Sequence, residues 1–174
     1  MSLTSTVASF DSLNQRKRMN ATALNAHERD SWRAMKCQIE EALYGHPIPP
    51  EQDVREFLRT PVSLSVRFEW RAEVHRRELI EMGEGGCFIR TASPLPRGTR
   101  LTLTIVPLIY GPCFEVTGEV CWNTQSNPAK AGMGVRFILQ NEEQRKAIHG
   151  LVDYAVAQCL SHSTCRLHES LECC

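Results

Sequence analysis

Apolar and polar residues alternate through much of the middle of the chain. The clearest run has apolar residues at Val62, Leu64, Val66 and Phe68, and a second has them at Leu101, Leu103 and Ile105. A period of two is typical of a half-buried β-strand. Four further β-rich runs cover Glu73 to Ile80, Cys87 to Arg90, Glu115 to Trp122 and Met133 to Ile138. Short strands in this number, about six and evenly spaced, predict a closed antiparallel β-barrel.

Two segments outside this region have a helical period instead. Trp32, Met35, Ile39 and Leu43 recur at spacings of three and four residues, which predicts a helix from Glu28 to Tyr44 that Gly45 ends. A second stripe begins at Ile148 and follows a possible capping box that starts at Asn141. We expect this second helix to reach about Leu160 and to pack across one end of the barrel.

These patterns divide the chain into four parts. Residues 1–26 are polar and aperiodic, so we expect disorder there. Residues 27–54 hold the first helix and a proline-rich linker that begins at His46. Residues 55–160 form the barrel with its C-terminal helix, and residues 161–174 form a short polar tail. The fold class is therefore mostly β, with one helix before the barrel and one after it.

Composition narrows the possible functions. The 20 basic and 20 acidic side chains cancel, so no overall charge draws the chain to nucleic acid or to a membrane surface. The basic run Arg16-Lys-Arg18 is too short to indicate nucleic-acid binding. No apolar stretch has the length of a membrane span, and the N-terminal residues lack the apolar core of a secretory signal. We therefore expect a cytoplasmic protein.

The sequence contains few motifs that would indicate an enzyme active site or a metal-binding site. None of the eight cysteines forms a Cys-x-x-Cys pair, and no local signature of a nucleophilic triad or a phosphate-binding loop occurs. Several metal-capable side chains do cluster near the C-terminus, at Cys159, His162, Cys165, His168, Cys173 and Cys174. Their spacing would require the tail to fold back on itself, so a solvated tail is favoured over a structural zinc site. We expect neither catalysis nor a metal cofactor.

The candidate chemistry lies where the barrel begins. Arg55 and Arg59 are four residues apart just before the first strand, and a guanidinium group suits flat, anionic ligands. The glycine-rich turn from Glu81 to Gly86 follows the second strand, and its glycines would let a ligand approach the backbone closely. The alternative for the arginines is surface ion pairing with a nearby acid in the sequence, namely Glu51, Asp53 or Glu56.

At this point the chain resembles a PilZ domain over about residues Arg55 to Val156. The resemblance is carried by motifs in the expected order: Arg55-x-x-x-Arg59, Glu81-x-Gly83-x-x-Gly86, Thr91-x-x-Pro-Leu-Pro-x-Gly98, Gly118-Glu-Val-x-Trp122 and Gly132-Met-Gly-Val-Arg-Phe137. The turn Pro-Leu-Pro-x-Gly98 is most similar to one subgroup of the family. The resemblance implies a six-stranded barrel that binds cyclic di-GMP. Arg55 and Arg59 would then contact its bases and phosphates, with Glu81, Gly83 and Gly86 forming the opposite wall.

The second motif departs from the family pattern at two positions. Glu81 stands where the family has Asp or Asn, and Gly83 stands where it has Ser. A displaced charged acceptor and a lost hydroxyl would together weaken binding by about 2–4.5 kcal/mol. Two functions follow from this. The first is a cyclic di-GMP-binding module that relays the signal to a protein partner, and the second is a degenerate domain that acts as a ligand-independent adaptor.

The apolar stripe of the first helix needs a partner in either case. We expect Trp32, Met35, Ile39 and Leu43 to pack on the chain's own barrel. The alternative is that the stripe binds a protein partner or a second copy of the chain, which would make a homo-oligomer.

Overall fold

The computed structural model describes residues 3–20, 22–46, 55–106, 113–125 and 130–169, with side chains described through residue 161. The helices are α1 (Leu3–Met19), α2 (Ala26–Tyr44) and α3 (Glu142–Glu169), and the strands are β1 (Arg59–Trp70), β2 (Glu73–Gly83), β3 (Gly86–Arg90), β4 (Arg100–Val106), β5 (Phe114–Thr124) and β6 (Gly132–Ile138). Two compact units result. The barrel unit spans Arg59–Cys159, and the helical unit runs through Leu58 and takes in the chain from Leu160 onwards.

The strands of the barrel unit close on themselves in the order β1-β2-β3-β6-β5-β4, and every pair is antiparallel. The predicted six-stranded antiparallel barrel is therefore confirmed. Each of the six apolar or β-rich runs identified in the sequence lies in one strand. The barrel unit begins at Arg59 rather than at Arg55, so the first of the two candidate arginines belongs to the helical unit.

The inside of the barrel is filled by the alternating residues that predicted the strands. Val66, Leu79, Ile89 and Leu103 are fully buried there, and each comes from a different strand. Ile148 and Val152 of α3 belong to the same core, so the helix packs on the barrel as expected. The start of α3 is capped, because the Gln144 backbone N–H donates to the Asn141 side chain at 2.8 Å.

The hairpin between β1 and β2 turns on two residues that are not glycine. Arg71 and Ala72 have φ angles of 52° and 63°. Two consecutive left-handed residues suit the twist of a two-residue hairpin, but that conformation normally favours Asn and Gly. Trp70 opposes Glu73 across the turn, and the Arg71 guanidinium lies 5.7 Å from the centre of the Trp70 ring. The hairpin is thus formed at a cost in backbone strain.

The helical unit corrects the expectation that residues 1–26 are disordered, because α1 occupies Leu3–Met19. Phe10 of α1 stacks on Trp32 of α2 with 5.6 Å between ring centres, and the Trp32 Nε1–H donates to Asn14 at 3.2 Å. The buried positions of α1 are Thr6, Phe10 and Asn14. Two of these three are polar, so the four-residue period does not appear in a search for apolar stripes. Trp32 therefore packs on a helix that the sequence pattern did not reveal.

Both ends of α2 are capped, and the helix begins at Ala26, two residues before the predicted start at Glu28. Gly45 ends the helix in a left-handed conformation, as expected. At the other end, Asn25 and Glu28 form a reciprocal capping box. The Arg16 side chain also donates to Glu28 at 2.7 Å, and this bond together with the capping bond lowers the pKa of the Glu28 carboxyl. The expected linker from residue 47 to residue 54 lies outside the described residues.

The C-terminal helix is longer than predicted. It continues to Glu169, whereas the sequence pattern ended it near Leu160 and placed a polar tail after it. Residues 161–169 contain neither Gly nor Pro, so nothing in their backbone chemistry ends a helix there. The metal-capable side chains from His162 onwards lie outside the described side chains, and the expectation of a solvated tail stays a prediction. No helix of the described chain has the length and hydropathy of a membrane span.

Candidate functional site

Arg59 and Glu81 meet on the barrel because β1 and β2 are paired in register. Arg59 opposes Gly83, and Pro61 opposes Glu81. The Arg59 Nη1 donates to Glu81 Oε1 at 2.7 Å. The side chains are 37% and 26% exposed, so the pair is open to solvent. A half-exposed guanidinium of this kind can still present donors to an anionic ligand.

The turn after Glu81 is held tightly within the barrel. Gly83 ends β2 opposite Gly86, which begins β3. A Cβ atom at Gly86 would lie 2.3 Å from the Val135 backbone oxygen in β6, a distance that no side chain tolerates. Gly86 is therefore required by the close approach of β6. A direct ligand contact at Gly83 or Gly86 stays a prediction.

Two further contacts anchor the same turn. The Phe137 backbone N–H of β6 donates to the Gly85 carbonyl oxygen at 3.0 Å. The buried Glu84 carboxylate lies 3.3 Å from the Nε2 atom of His149 in α3. The turn is thus tied to both β6 and α3, which keeps Glu81 in a fixed place opposite the first strand. The His149 side chain is 23% exposed where it lies against Glu84.

Arg55 has its carboxylate partner in the helical unit. Its Nη2 donates to Glu40 Oε2 at 2.9 Å, and the Glu40 side chain is fully buried. The Lys36 ammonium group donates to the Arg55 carbonyl oxygen at 2.6 Å. The sequence alternative of pairing with Glu51 or Asp53 involves residues outside the described chain. Each candidate arginine therefore has a carboxylate from its own unit.

An aromatic pair lies beside Glu81 and was missed as a candidate feature. Phe88 of β3 opposes both Glu81 and Gly134, and Gly134 in turn opposes Trp122 of β5. The rings of Phe88 and Trp122 stack with 5.1 Å between centres, and Trp122 is 45% exposed. The signal in the sequence is Gly132-x-Gly134, because these glycines leave the room that the two rings occupy.

The thiol beside the glycine turn, that of Cys87, is unsuited to nucleophilic chemistry. Cys87 follows Gly86 and opposes Met82, with its side chain in the barrel core. Burial raises the pKa of the Cys87 thiol, and the positive charge of Arg59 lowers it to a smaller extent. A thiol kept protonated in this way is a poor nucleophile. Among the described residues, no group of three His, Cys, Asp or Glu side chains is placed to hold a metal ion.

Comparison with known structures finds the same fold. The PilZ domain of YcgR from Escherichia coli, solved with c-di-GMP, superposes with a TM-score of 0.54 at 12% identity, over 64% of this chain and 98% of that one. The Bacillus subtilis inhibitor of motility MotI/DgrA gives a TM-score of 0.50 at 17% identity over 66% of this chain. The match covers 58% of the Bacillus protein, so this chain spans little more than half of its length.

Comparison of sequences identifies a family. No curated protein matches the chain. The sequence profile of the PilZ domain, however, matches residues 53–154, which is more than half of the chain and includes both candidate arginines and the whole barrel. The chain belongs to the PilZ domain family.

Proposed function

We propose that this chain is a cytoplasmic, non-enzymatic signalling module that binds cyclic di-GMP and relays the signal to a protein partner. The observation that carries the proposal is the Arg59–Glu81 pair at 2.7 Å, set beside the Gly83–Gly86 turn on a barrel of the PilZ family. The PilZ domain of E. coli YcgR, which shares this fold, was solved with the same messenger. A Bacillus subtilis protein with this fold is named an inhibitor of motility, and an inhibitor of a cellular process acts on another component, as a relay module would.

The chemistry of the pair suits a guanine nucleotide. The O6 and N7 atoms of guanine accept two parallel hydrogen bonds from one guanidinium group, and its N2 amino group donates to an acceptor such as a carboxylate. Arg59 supplies the donors and Glu81 supplies the acceptor on neighbouring strands. Arg55, four residues earlier in the sequence, would supply a second guanidinium group for a base or a phosphate.

A specific observation also supports the second function, a ligand-independent adaptor. Both arginines already have a carboxylate partner, so a ligand must compete with Glu40 and Glu81 for them. Gly83 provides no hydroxyl group that would help the ligand in this competition. In an adaptor, the barrel would instead act through a protein-binding surface.

Calorimetric titration with cyclic di-GMP separates the two functions. We expect saturable binding by the wild-type chain and loss of binding in Arg59→Ala, because that variant removes the bidentate donor. The matched control is Arg97→Ala, which removes an exposed arginine from the loop before β4 and should bind as the wild type does. If the wild-type chain does not bind, or if Arg59→Ala binds equally well, the messenger-binding function is wrong and the adaptor is favoured.

A further inference from the structure

Three successive residues after the linker are held by side chains of the helical unit. The Lys36 ammonium group of α2 donates to the Arg55 carbonyl oxygen, and the Lys17 ammonium group of α1 donates to the Glu56 carbonyl oxygen at 2.7 Å. Lys17 also lies 5.0 Å from the ring centre of Phe57. The segment from Arg55 to Phe57 is therefore fastened to both helices through its backbone as well as through its side chains.

The Arg55 side chain is held by a carboxylate that has no access to solvent. Glu40 is 0% exposed and Lys36 is 1% exposed, one helical turn apart on α2. A buried carboxylate has lost its hydration and depends on nearby positive charge and hydrogen bonds. The Arg55 guanidinium meets that need at 2.9 Å. Moving the Arg55 guanidinium away would leave the buried Glu40 carboxylate with less positive charge nearby. Breaking the contact therefore costs free energy.

The proposed ligand carries phosphate groups, which bind a guanidinium group in the same way as the Glu40 carboxylate does. A carboxylate and a phosphate both accept charge-assisted hydrogen bonds from one guanidinium group, and they compete for it. A ligand that takes Arg55 must therefore displace Glu40 from that group or bind with Arg55 still occupied. The apparent affinity for a ligand equals the intrinsic affinity multiplied by the fraction of molecules in which the competent arrangement is available.

We propose that Glu40 is an intramolecular competitor for Arg55, and that α2 holds the chain in a low-affinity state by this clasp. The clasp consists of Lys36, Glu40 and Arg55. This inference rests on the proposed function, because it assumes that Arg55 takes part in binding cyclic di-GMP. Its consequence is that the affinity for the messenger is set partly by a helix outside the barrel, and weakening the clasp raises it.

The test compares Glu40→Gln with Glu41→Gln, a matched loss of charge at the exposed neighbour on α2. Gln keeps the size of Glu40 but lacks the charge that holds Arg55. In the absence of ligand, we expect faster amide hydrogen exchange at residues 55–58 in Glu40→Gln only. In calorimetric titration with cyclic di-GMP, we expect Glu40→Gln to bind about tenfold more tightly than the wild type, the effect of one released charge-assisted contact. Glu41→Gln should match the wild type in both measurements.

Glu40→Asp keeps the inference testable if Glu40→Gln does not fold, as judged by circular dichroism. Asp keeps the charge but withdraws the carboxylate by one methylene group, so its exchange and its affinity should lie between those of the wild type and Glu40→Gln. Unchanged exchange at residues 55–58 would show that Glu40 does not hold the segment. Faster exchange with unchanged or weaker binding would overturn the competition while leaving messenger binding intact. Faster exchange with no binding by any form would overturn the proposed function, and the competition with it.

Discussion

Arg55 and Arg59 are both paired with a carboxylate, but the two carboxylates lie in very different surroundings. Glu81 on the barrel is 26% exposed, whereas Glu40 on α2 is fully buried. Water can replace much of what Glu81 gains from Arg59, so such a pair adds at most about 1 kcal/mol. Water cannot reach Glu40 in the same way. Two arginines of one sequence motif are therefore bound to their own chain with unequal strength.

This difference assigns separate roles to the two residues. Arg59 can exchange its carboxylate for a ligand at little cost, because both groups are already partly hydrated. Arg55 can exchange Glu40 for a ligand only at a higher cost, because its departure leaves the buried Glu40 charge behind. We therefore expect Arg59 to be chiefly a ligand residue and Arg55 to be both a ligand residue and a structural residue. Two measurements test this distinction, in addition to the titrations of Arg59→Ala and Glu40→Gln, and a third tests the helical unit by itself.

The largest effect is expected from Arg55→Ala. Removing the guanidinium group takes away the Arg55 contact of the buried Glu40 carboxylate. We expect a loss of about 3 kcal/mol in the free energy of unfolding, the lower end of the range for breaking a buried ion pair, because Arg55 itself is 30% exposed. Arg59→Ala should lose less than about 1 kcal/mol, because its pair is solvent-exposed. Urea unfolding followed by circular dichroism measures both values.

The control for this measurement is Arg33→Ala, which removes an exposed arginine of α2 that is 3.7 Å from Asp30. It should behave like Arg59→Ala rather than like Arg55→Ala. Equal losses in Arg55→Ala and Arg59→Ala would mean that burial of Glu40 does not distinguish the two pairs.

An intermediate effect is expected when the two departures from the family pattern are reversed together. Glu81→Asp shortens the acceptor that holds Arg59, and Gly83→Ser restores a hydroxyl group, so the double variant should bind cyclic di-GMP more tightly by about 1 kcal/mol. The φ angle of Gly83 is not among the positive values found in the described residues, so serine meets no left-handed backbone strain there. Calorimetry measures the gain.

The single variants show where that gain arises. If Gly83→Ser alone accounts for it, the missing hydroxyl is the main defect of the site. Unchanged or weaker binding by the double variant would mean that the turn makes other contacts with the ligand, and it would favour the adaptor function.

The smallest effect concerns acid sensitivity of the helical unit. The Arg16 side chain and the Asn25 backbone lower the pKa of Glu28 below its ordinary value of 4.5. A carboxyl whose pKa is lower in the folded state stabilises that state above the unfolded pKa, and this contribution is lost as the pH falls through the folded pKa. Hydrogen exchange in α2 should therefore speed up slightly more in acid for the wild type than for Glu28→Gln. An identical acid response in the two forms would contradict this assignment.

The strands, the end of α2 and the start of α3 could be predicted because their signals are local. The alternation of apolar residues in β1 and β4 can be recognised without knowing which elements they pack against. Gly45 ends α2 because glycine readily adopts the left-handed backbone conformation of a helix end. The Arg59–Glu81 pair could be anticipated as neighbouring candidates, since both adjoin predicted strand ends. Their direct bond required the register of β1 with β2, which alternation alone does not specify.

The clasp and the packing of α1 could not be predicted because their signals are not local. Lys36 and Glu40 are charged residues on a helix, and a pattern-based interpretation assigns such residues to solvent. Their burial depends on Arg55, fifteen residues after Glu40. In the same way, Asn14 of α1 is a buried polar residue that accepts a hydrogen bond from the Trp32 indole of another helix.

The turn between β1 and β2 has a consequence for how this chain can evolve. Arg71 and Ala72 both hold left-handed backbone angles, which cost L-residues about 1–2 kcal/mol each. A change of Ala72 to glycine relieves part of that strain and touches neither arginine pair. Proteins tolerate costly substitutions only while they stay above a stability threshold. The Ala72→Gly substitution would therefore add stability. With that added stability, the chain could accept destabilising substitutions at positions such as Glu81 and Gly83.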